Sequence, residues 1–561
     1  MSGRTIDWVL RGIGFQPVGF HSLSGSQRRH GTPTFLSCLM FRLVAWLLPF
    51  CLGLLYPTSI VAVEPPHADP HAMAPVGVSN IGVKECAACH SAPSPIYEKL
   101  GVTNFVRLSE ASDWRERDKH AHAYHLVRQD LPESELKKEE RKSNKLSIEI
   151  TSKLKWTVGD KNKKSDGNFE KKCLSCHVGM SNEEPWSEIN LQFGVQCESC
   201  HGPGSEYTKL EHHQQMSWRA KTPEQKSELG MWDLTSPSTA AAVCLSCHLG
   251  NIDEGRFVSH DMYAAGHPVL PPFDLQVFLN AMPPHWRTLQ EKPSFDKQAE
   301  YNRVHFDIAG NTDEIQLAIK GSYDKTRRSM IGGLVANDLG IELIHQGAAQ
   351  PQTWGDYSIY NCMGCHQELK KNSTQVRPES RIPGRPFPAN WLTLEYPAIH
   401  VSSRDTHETL TRELLTSFNS IPFGNARRLN QMSDRHLRSL SERFQDRRKM
   451  EKQVMSKRDV QQWLEFLVQS RQNALTDYWV AKQTAWMVCV AVDELVEHGD
   501  VAPDLVSPMQ KELRDSLRLE LRLPQRQSVL AGQMGVLETA QTFDSRRCKE
   551  LLNTLVRRTA D

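Results

Sequence analysis

Five Cys-x-x-Cys-His pentapeptides punctuate the chain: Cys86-Ala-Ala-Cys89-His90, Cys173-Leu-Ser-Cys176-His177, Cys197-Glu-Ser-Cys200-His201, Cys244-Leu-Ser-Cys247-His248 and Cys362-Met-Gly-Cys365-His366. They take ten of the 14 cysteines. Chance at this composition would give roughly 0.01 such motifs. The pattern is that of c-type haem attachment: two thiols form thioethers to the porphyrin, and the adjacent histidine is forced onto one face to ligate iron. A structural zinc site would need four ligands and no fixed histidine, and an odd number of pairs leaves one unmatched. Disulfides, common in exported proteins, would not explain the repeated histidine either. The sequence therefore predicts five covalently held haem c groups. Their apolar plates take over part of the work of a side-chain core.

Composition agrees. Hydrophobic residues make up only 39% of 561, and the porphyrins supply the difference. The 23 histidines exceed the five proximal ligands, leaving others to cap second axial positions. Charge is balanced, 67 Lys and Arg against 66 Asp and Glu, which argues against a nucleic-acid partner.

Near the N-terminus Leu43 to Tyr56 is an apolar run preceded by Arg28, Arg29 and Arg42. Pro57-Thr58-Ser59 and Ala62 follow, as in a cleavable export signal. Met40 would open a conventional signal. The stretch Leu43 to Val63 also reaches the length of a bilayer span, although Pro49 and Pro57 weaken it. As an anchor it would keep the N-terminus in the cytoplasm. Both readings put the haem region in the periplasm or otherwise outside the cytoplasm, soluble or anchored.

The expected organisation is an N-terminal extension with signal or anchor over 1–63, a linker over 64–81 and a multihaem region over 82–370. A Pro-, Arg- and Ser-rich arm follows over 371–405, then a helical domain over 406–561. The fold class expected is mainly α: a multihaem cytochrome c core with little regular sheet, followed by helices. The second to fourth motifs are close in sequence, so their porphyrins should nearly touch. A helix is expected around Gly333 to Ala349, and amphipathic helices at Trp486 to Leu495 and Leu505 to Leu523. The C-terminal region carries no haem motif, phosphate loop or catalytic triad signature. Cys489 and Cys548 read as buried thiols, with a bridge between them as the alternative.

Second axial ligands decide function, because a haem closed by two histidines passes electrons while an open one can bind a substrate. Three clusters offer ligands: His120, His122 and His125 in Lys119-His-Ala-His-Ala-Tyr-His; His260 and His267 in Ser259-His-Asp-Met-Tyr-Ala-Ala-Gly-His-Pro268; and His285 in Met282-Pro-Pro-His-Trp286. His212 and His213 are weaker candidates. His345 reads as ordinary packing on an apolar helix.

Over roughly Lys84 to Leu369 the chain resembles the multihaem cytochromes of the c-554 type. The resemblance is carried by Gly194-Val-Gln-Cys-Glu-Ser-Cys-His-Gly-Pro-Gly-Ser205, by Lys119-His-Ala-His-Ala, and by Ala265-Gly-His-Pro268 with Met282-Pro-Pro-His-Trp286 beyond it. It implies a mainly helical haem-packing core, stacked haem pairs and extracytoplasmic electron transfer. It also implies His120 and His267 as distal ligands, with His260 and His285 as further ones. There are departures. The c-554 proteins hold four haems and this chain has a fifth motif. Where many relatives place a histidine after the Gly-Pro-Gly-Ser run, this chain has Tyr207, so one distal ligand is missing or comes from His212 or His213. No Cys-x-x-Cys-Lys occurs, unlike in the typical pentahaem nitrite reductases.

Two functions follow. The first is an electron relay between redox partner proteins. The alternative is a catalytic oxidoreductase acting on a small nitrogen or sulfur compound at one five-coordinate haem, with His122, His125, Tyr124 or Tyr207 as proton donors. A haem-based sensor with the C-terminal helices as output finds no specific feature.

Overall fold

Short helix-forming stretches, closed by Pro- and Gly-bearing turns, build the described part of the chain without a sheet. The structure is a computed structural model. It describes residues 75, 77–129, 134, 138–158, 165–179, 191–292, 311–350, 354–360, 362, 366, 409, 413–414, 416–418, 424–438, 447–472, 474–521 and 529–560. Of the described part 65% is helical and none is strand, as the mainly α reading expects. A single backbone bridge among the described residues joins Asn251 to Arg256. The candidate signal or anchor, most of the linker 64–81, the arm 371–405 and Cys365 lie outside the described residues. Among the described residues no helix is long and apolar enough to cross a membrane.

Small helices present the motifs. Helix α1, Val83–His90, carries the first. Helix α2, Glu110–Arg117, has Glu110 and Asp113 in its first turn and Arg115 and Arg117 in its last, the charge order that the helix dipole favours. It buries Ala111 and Trp114, one turn apart. A 3-10 turn, His120–Leu126, follows and holds the first histidine cluster. Helix α3, Lys138–Lys153, then braces that turn: Asn144 and Ser147 donate to the carbonyls of Arg128 and Val127 at 2.7 and 2.8 Å.

Helix α4, Pro237–His248, carries the fourth motif on a thoroughly buried stem. Ser236 caps its N-terminus and Pro237 opens its first turn, both good starting residues. Its Ala240 to Ala242 are small enough to let neighbours approach closely. Helix α5, His260–Ala265, is capped by Ser259 and closed by Gly266. Helix α6, Leu275–Ala281, is capped by Asp274.

The long helix α7, Asp324–Ala349, is the spine that joins the two halves of the molecule. It packs on α4 and α6 and on helix α8, Ala426–Arg438. It also packs on α10, in a C-terminal bundle made of α9, Lys457–Ser470; α10, Tyr478–Glu497; α11, Pro503–Leu517; α12, Val529–Thr542; and α13, Ser545–Ala560. The Glu494 carboxylate on α10 accepts from the backbone N–H groups of Lys325 and Thr326, both at 2.8 Å, and so caps α7 from outside. Arg447 and Asp338 form a buried ion pair against the same spine. One apolar cluster runs from Ala240 to Val556, with Trp463 fully buried in it. Each such large side chain contributes about 1.5–3 kcal/mol. The fourth motif is thus anchored on the core that the C-terminal helices share. His345 hydrogen-bonds Ser433 of α8 at 3.2 Å and serves packing. Cys489 and Cys548 are buried and unbonded.

Candidate metal centres

Motif histidines face histidines from elsewhere in the chain. The rings of His90 and His213 have centroids 6.5 Å apart and planes 13° from parallel. Those of His120 and His248 are 6.2 Å apart at 89°. An imidazole–metal bond is about 2.0–2.1 Å, with the ring centroid roughly 1.1 Å behind the nitrogen, so two rings trans on one ion stand roughly 6.3 Å apart. Both pairs match that spacing. His177 lies near enough to His267 to disfavour charge on it, and His285 and His90 do the same to His201. Two motif histidines, His90 and His248, therefore each have a histidine at ligand spacing, and His177 and His201 have one in their neighbourhood.

The remaining ring nitrogens are set for ligation. His90 Nδ1 meets Glu110 Oε2 at 2.9 Å, and His120 Nδ1 meets Asp118 Oδ1 at 2.9 Å. The Nδ1 atoms of His177, His213, His267 and His285 face the carbonyls of Ala123, Tyr207, Pro268 and Pro283 at 3.0, 3.1, 2.8 and 3.3 Å. An acceptor on Nδ1 fixes the proton there, so Nε2 points its lone pair outward, and it raises the ring's basicity. The Glu110 hydrogen bond raises the pKa of His90. Burial presses on His120, but Asp118 outweighs it and the net shift is upward. Burial pushes His177 down; burial first, with a neighbouring histidine adding to it, pushes His213 down and takes His201, His248 and His267 down to about 4, which favours the neutral ring.

Among the described residues no group of three or more His, Cys, Asp or Glu is arranged to hold a bare metal ion. Pairs of histidines with paired sulfurs beside them suit a metal that arrives inside its own ring. Residues 85–202 match the family model described as cytochrome c554 and c-prime. This segment is a c-type cytochrome domain. No curated protein and no solved structure matches the chain. The match spans the first three motifs; the fourth and fifth lie beyond it. A cytochrome of this kind holds iron in covalently bound haem c. The residues of the first four motifs fit that group: the sulfurs are unbonded to one another, and each motif histidine has another histidine near it, at ligand spacing for His90 and His248.

In the cytochrome domain and its continuation, motifs meet in pairs. Cys86 of the first touches Cys197 of the third, and Cys176 of the second touches Cys247 of the fourth. Burial raises Cys173, Cys200 and Cys244 to about 12. Each pair has its own tie. Glu198, inside the third motif and 7% exposed, accepts from the backbone N–H of Ile81, Gly82 and Gly204 at 2.8, 2.7 and 2.8 Å, which pins the start of α1. Arg256, 1% exposed, donates to the Ser175 carbonyl of the second motif at 3.1 Å and to Ser246 Oγ of the fourth at 3.2 Å. Gly255 at φ 73° lets the strap carrying Arg256 pass Lys171, whose carbonyl would stand 2.7 Å from any Cβ. Gly194 at φ 60° likewise lies against the His120 carbonyl, where a side chain would collide. Val195 N–H donates to that same carbonyl at 2.9 Å, holding the His120 turn against the third motif.

The fifth motif is placed differently. Its Cys362 packs against the shared core, near Tyr263 on α5. His366 is exposed, and its carbonyl accepts from Gln541 on α12 at 2.8 Å. His260 opens α5 with its backbone N–H on Asp356 and its ring 5.2 Å from Tyr357. His122 lies 5.9 Å from His125, on the same turn. Tyr207 is buried, donates to the Gly202 carbonyl at 3.2 Å and stands edge-on to His213.

Sequence reasoning ranked His213 low; the structure sets it across from His90. It did not single out Glu110, Asp118, Glu198 or Arg256. Asp118 could have been found two residues before His120, and Glu198 inside its motif. Arg256 carries no local signal.

Proposed function

We propose that the chain is an extracytoplasmic electron relay holding five haem c groups, one at each motif. Cys86 with Cys89, Cys173 with Cys176, Cys197 with Cys200, Cys244 with Cys247 and Cys362 with Cys365 would bind the porphyrins. His90, His177, His201, His248 and His366 would be the proximal ligands. His213, His267, His285 and His120 would be the distal ligands for the first, second, third and fourth. His260 is the distal candidate for the fifth, by its place on the helix facing Cys362. Bound haem c supplies one-electron iron chemistry. The paired histidines would hold such an iron, and the acceptors on Nδ1 keep the ring proton there, leaving Nε2 free to bind it.

The observation that carries this reading is the spacing of the His90–His213 and His120–His248 rings. Faces closed by histidine leave no room for a substrate and favour fast electron transfer. Electrons would pass to and from redox partner proteins. The exported protein should carry five haems by intact mass, and its low-spin spectrum should not move on adding nitrite, hydroxylamine or cyanide. A high-spin signal that those ligands perturb would replace the relay with an enzyme.

One observation favours that second reading at a single place. His366 is exposed while the other four motif histidines are half-buried. Were any position to take a small nitrogen or sulfur compound, it would be the fifth, and the perturbed signal would then vanish in His366→Met.

A further inference from the structure

We propose that Glu198 and Arg256 grade the relay: the buried carboxylate holds the haems of the first and third motifs at low potential, and the buried guanidinium holds those of the second and fourth at high potential. Electrons delivered by a partner would therefore settle on the second–fourth pair. This inference rests on the relay reading above.

The two residues occupy equivalent places. Each is buried where two motifs touch: Glu198 belongs to one motif and bonds to the backbone that flanks both, and Arg256 bonds to a residue inside each of its two. Glu198 sits between Cys197 and Cys200 in sequence and reaches back to the first motif through Ile81 and Gly82. Three N–H donors and no acceptor surround it in these contacts, the pattern of an ionised carboxylate. Arg256 is a permanent cation. It reaches Ser175, next to Cys176, and Ser246, next to Cys247, and its charge is felt at both sulfurs.

Reducing an iron removes one positive charge. A fixed negative charge close by disfavours that change and a fixed positive charge favours it, and low dielectric enlarges both effects. Other charges are present. Glu110 beside His90 adds to the negative side, and Asp118 beside His120 works against Arg256. Arg107, bonded to the Trp286 carbonyl near His285, opposes Glu198, but it is half-exposed and water screens it. At the second motif, which Arg256 bonds through Ser175, Glu170 acts on Cys173 from the negative side.

The test is a redox titration of the full haem-loaded protein followed by electron paramagnetic resonance. Ligand planes 13° apart and 89° apart give distinguishable low-spin signals, so the first and fourth haems can be followed separately. In the wild type the near-parallel signal should titrate at the lower potential. Glu198→Gln should raise it about tenfold in the one-electron equilibrium, ~59 mV, and leave the near-perpendicular signal in place. Arg256→Met should lower the near-perpendicular signal by a similar amount, and Arg256→Lys, which restores the charge without the fork, should recover most of it. The reverse order in the wild type would overturn the proposal. So would unchanged potentials in both variants, or an Arg256→Lys protein as low as Arg256→Met, which would make Arg256 a mechanical tie only. A protein without five haems by mass would instead remove the relay reading itself.

Discussion

The joint between the first and third motifs and the joint between the second and fourth solve one problem with opposite chemistry. Both must hold two attachment loops close enough for their sulfurs to touch. In one, a carboxylate collects backbone N–H groups at the start of α1. In the other, a guanidinium collects a carbonyl and a hydroxyl. The first joint is local to the cytochrome domain. The second is tied to the spine, because the fourth motif ends α4 and α4 packs on α7. A repeated motif thus sets the same five residues at each place but not their surroundings. The surroundings are chosen at each joint by a residue that the repeat does not specify.

The comparison can be broken or sharpened in several ways, from large effect to small. Replacing Cys197 and Cys200 together by Ala should remove one haem from the intact mass; retention of all five would show that this motif attaches nothing. His213→Ala should turn one haem high-spin, erase the near-parallel resonance and keep all covalent haem. Were the spectrum unaltered, His213 would not be the ligand opposite His90. Glu198→Ala strands three N–H donors at the first joint and should cost about 3 kcal/mol in denaturant unfolding, more than Arg256→Ala, which strands two acceptors. Equal costs would erase the distinction between the joints. Gly194→Ala forces a side chain against the His120 carbonyl at positive φ. It should cost about 2 kcal/mol and disturb the near-perpendicular resonance alone.

The smallest expected effect lies outside both joints. Burial raises the pKa of Glu494 above its ordinary 4.5, against the hydrogen bonds from Lys325 and Thr326. Between those two values the folded protein keeps the proton and the unfolded chain releases it, so stability falls as pH rises through the window. Glu494→Gln should lack this slope while leaving both resonances untouched. An identical pH profile in the variant would show that Glu494 titrates normally.

What was legible in the sequence follows from how locally each feature is encoded. Each Cys-x-x-Cys-His motif is five contiguous residues and can be read directly. His120, His267 and His285 stand in distinctive short elements, so they could be singled out, yet which motif each lies near depends on contacts across 84 to 128 residues of chain and could not be read. His213 gave only the signal of being near Tyr207, where a histidine was expected. The helix foreseen at Gly333 to Ala349 runs from Asp324, because the polar first turns of α7 are buried by Glu494 and by the Arg327–Asp324 pair, not by apolar periodicity. The helix foreseen at Trp486 to Leu495 extends over Tyr478–Glu497, since Asp477 caps it a full two turns earlier. Arg256 is the hardest case: a lone arginine after a glycine says nothing until the fold places it between two motifs.

The most direct test of the paired-histidine account is low-temperature electron paramagnetic resonance of the fully oxidised wild-type protein. It should show low-spin haem with at least one near-parallel and one near-perpendicular ligand arrangement. A spectrum dominated by high-spin iron, or one with no haem signal, would contradict it.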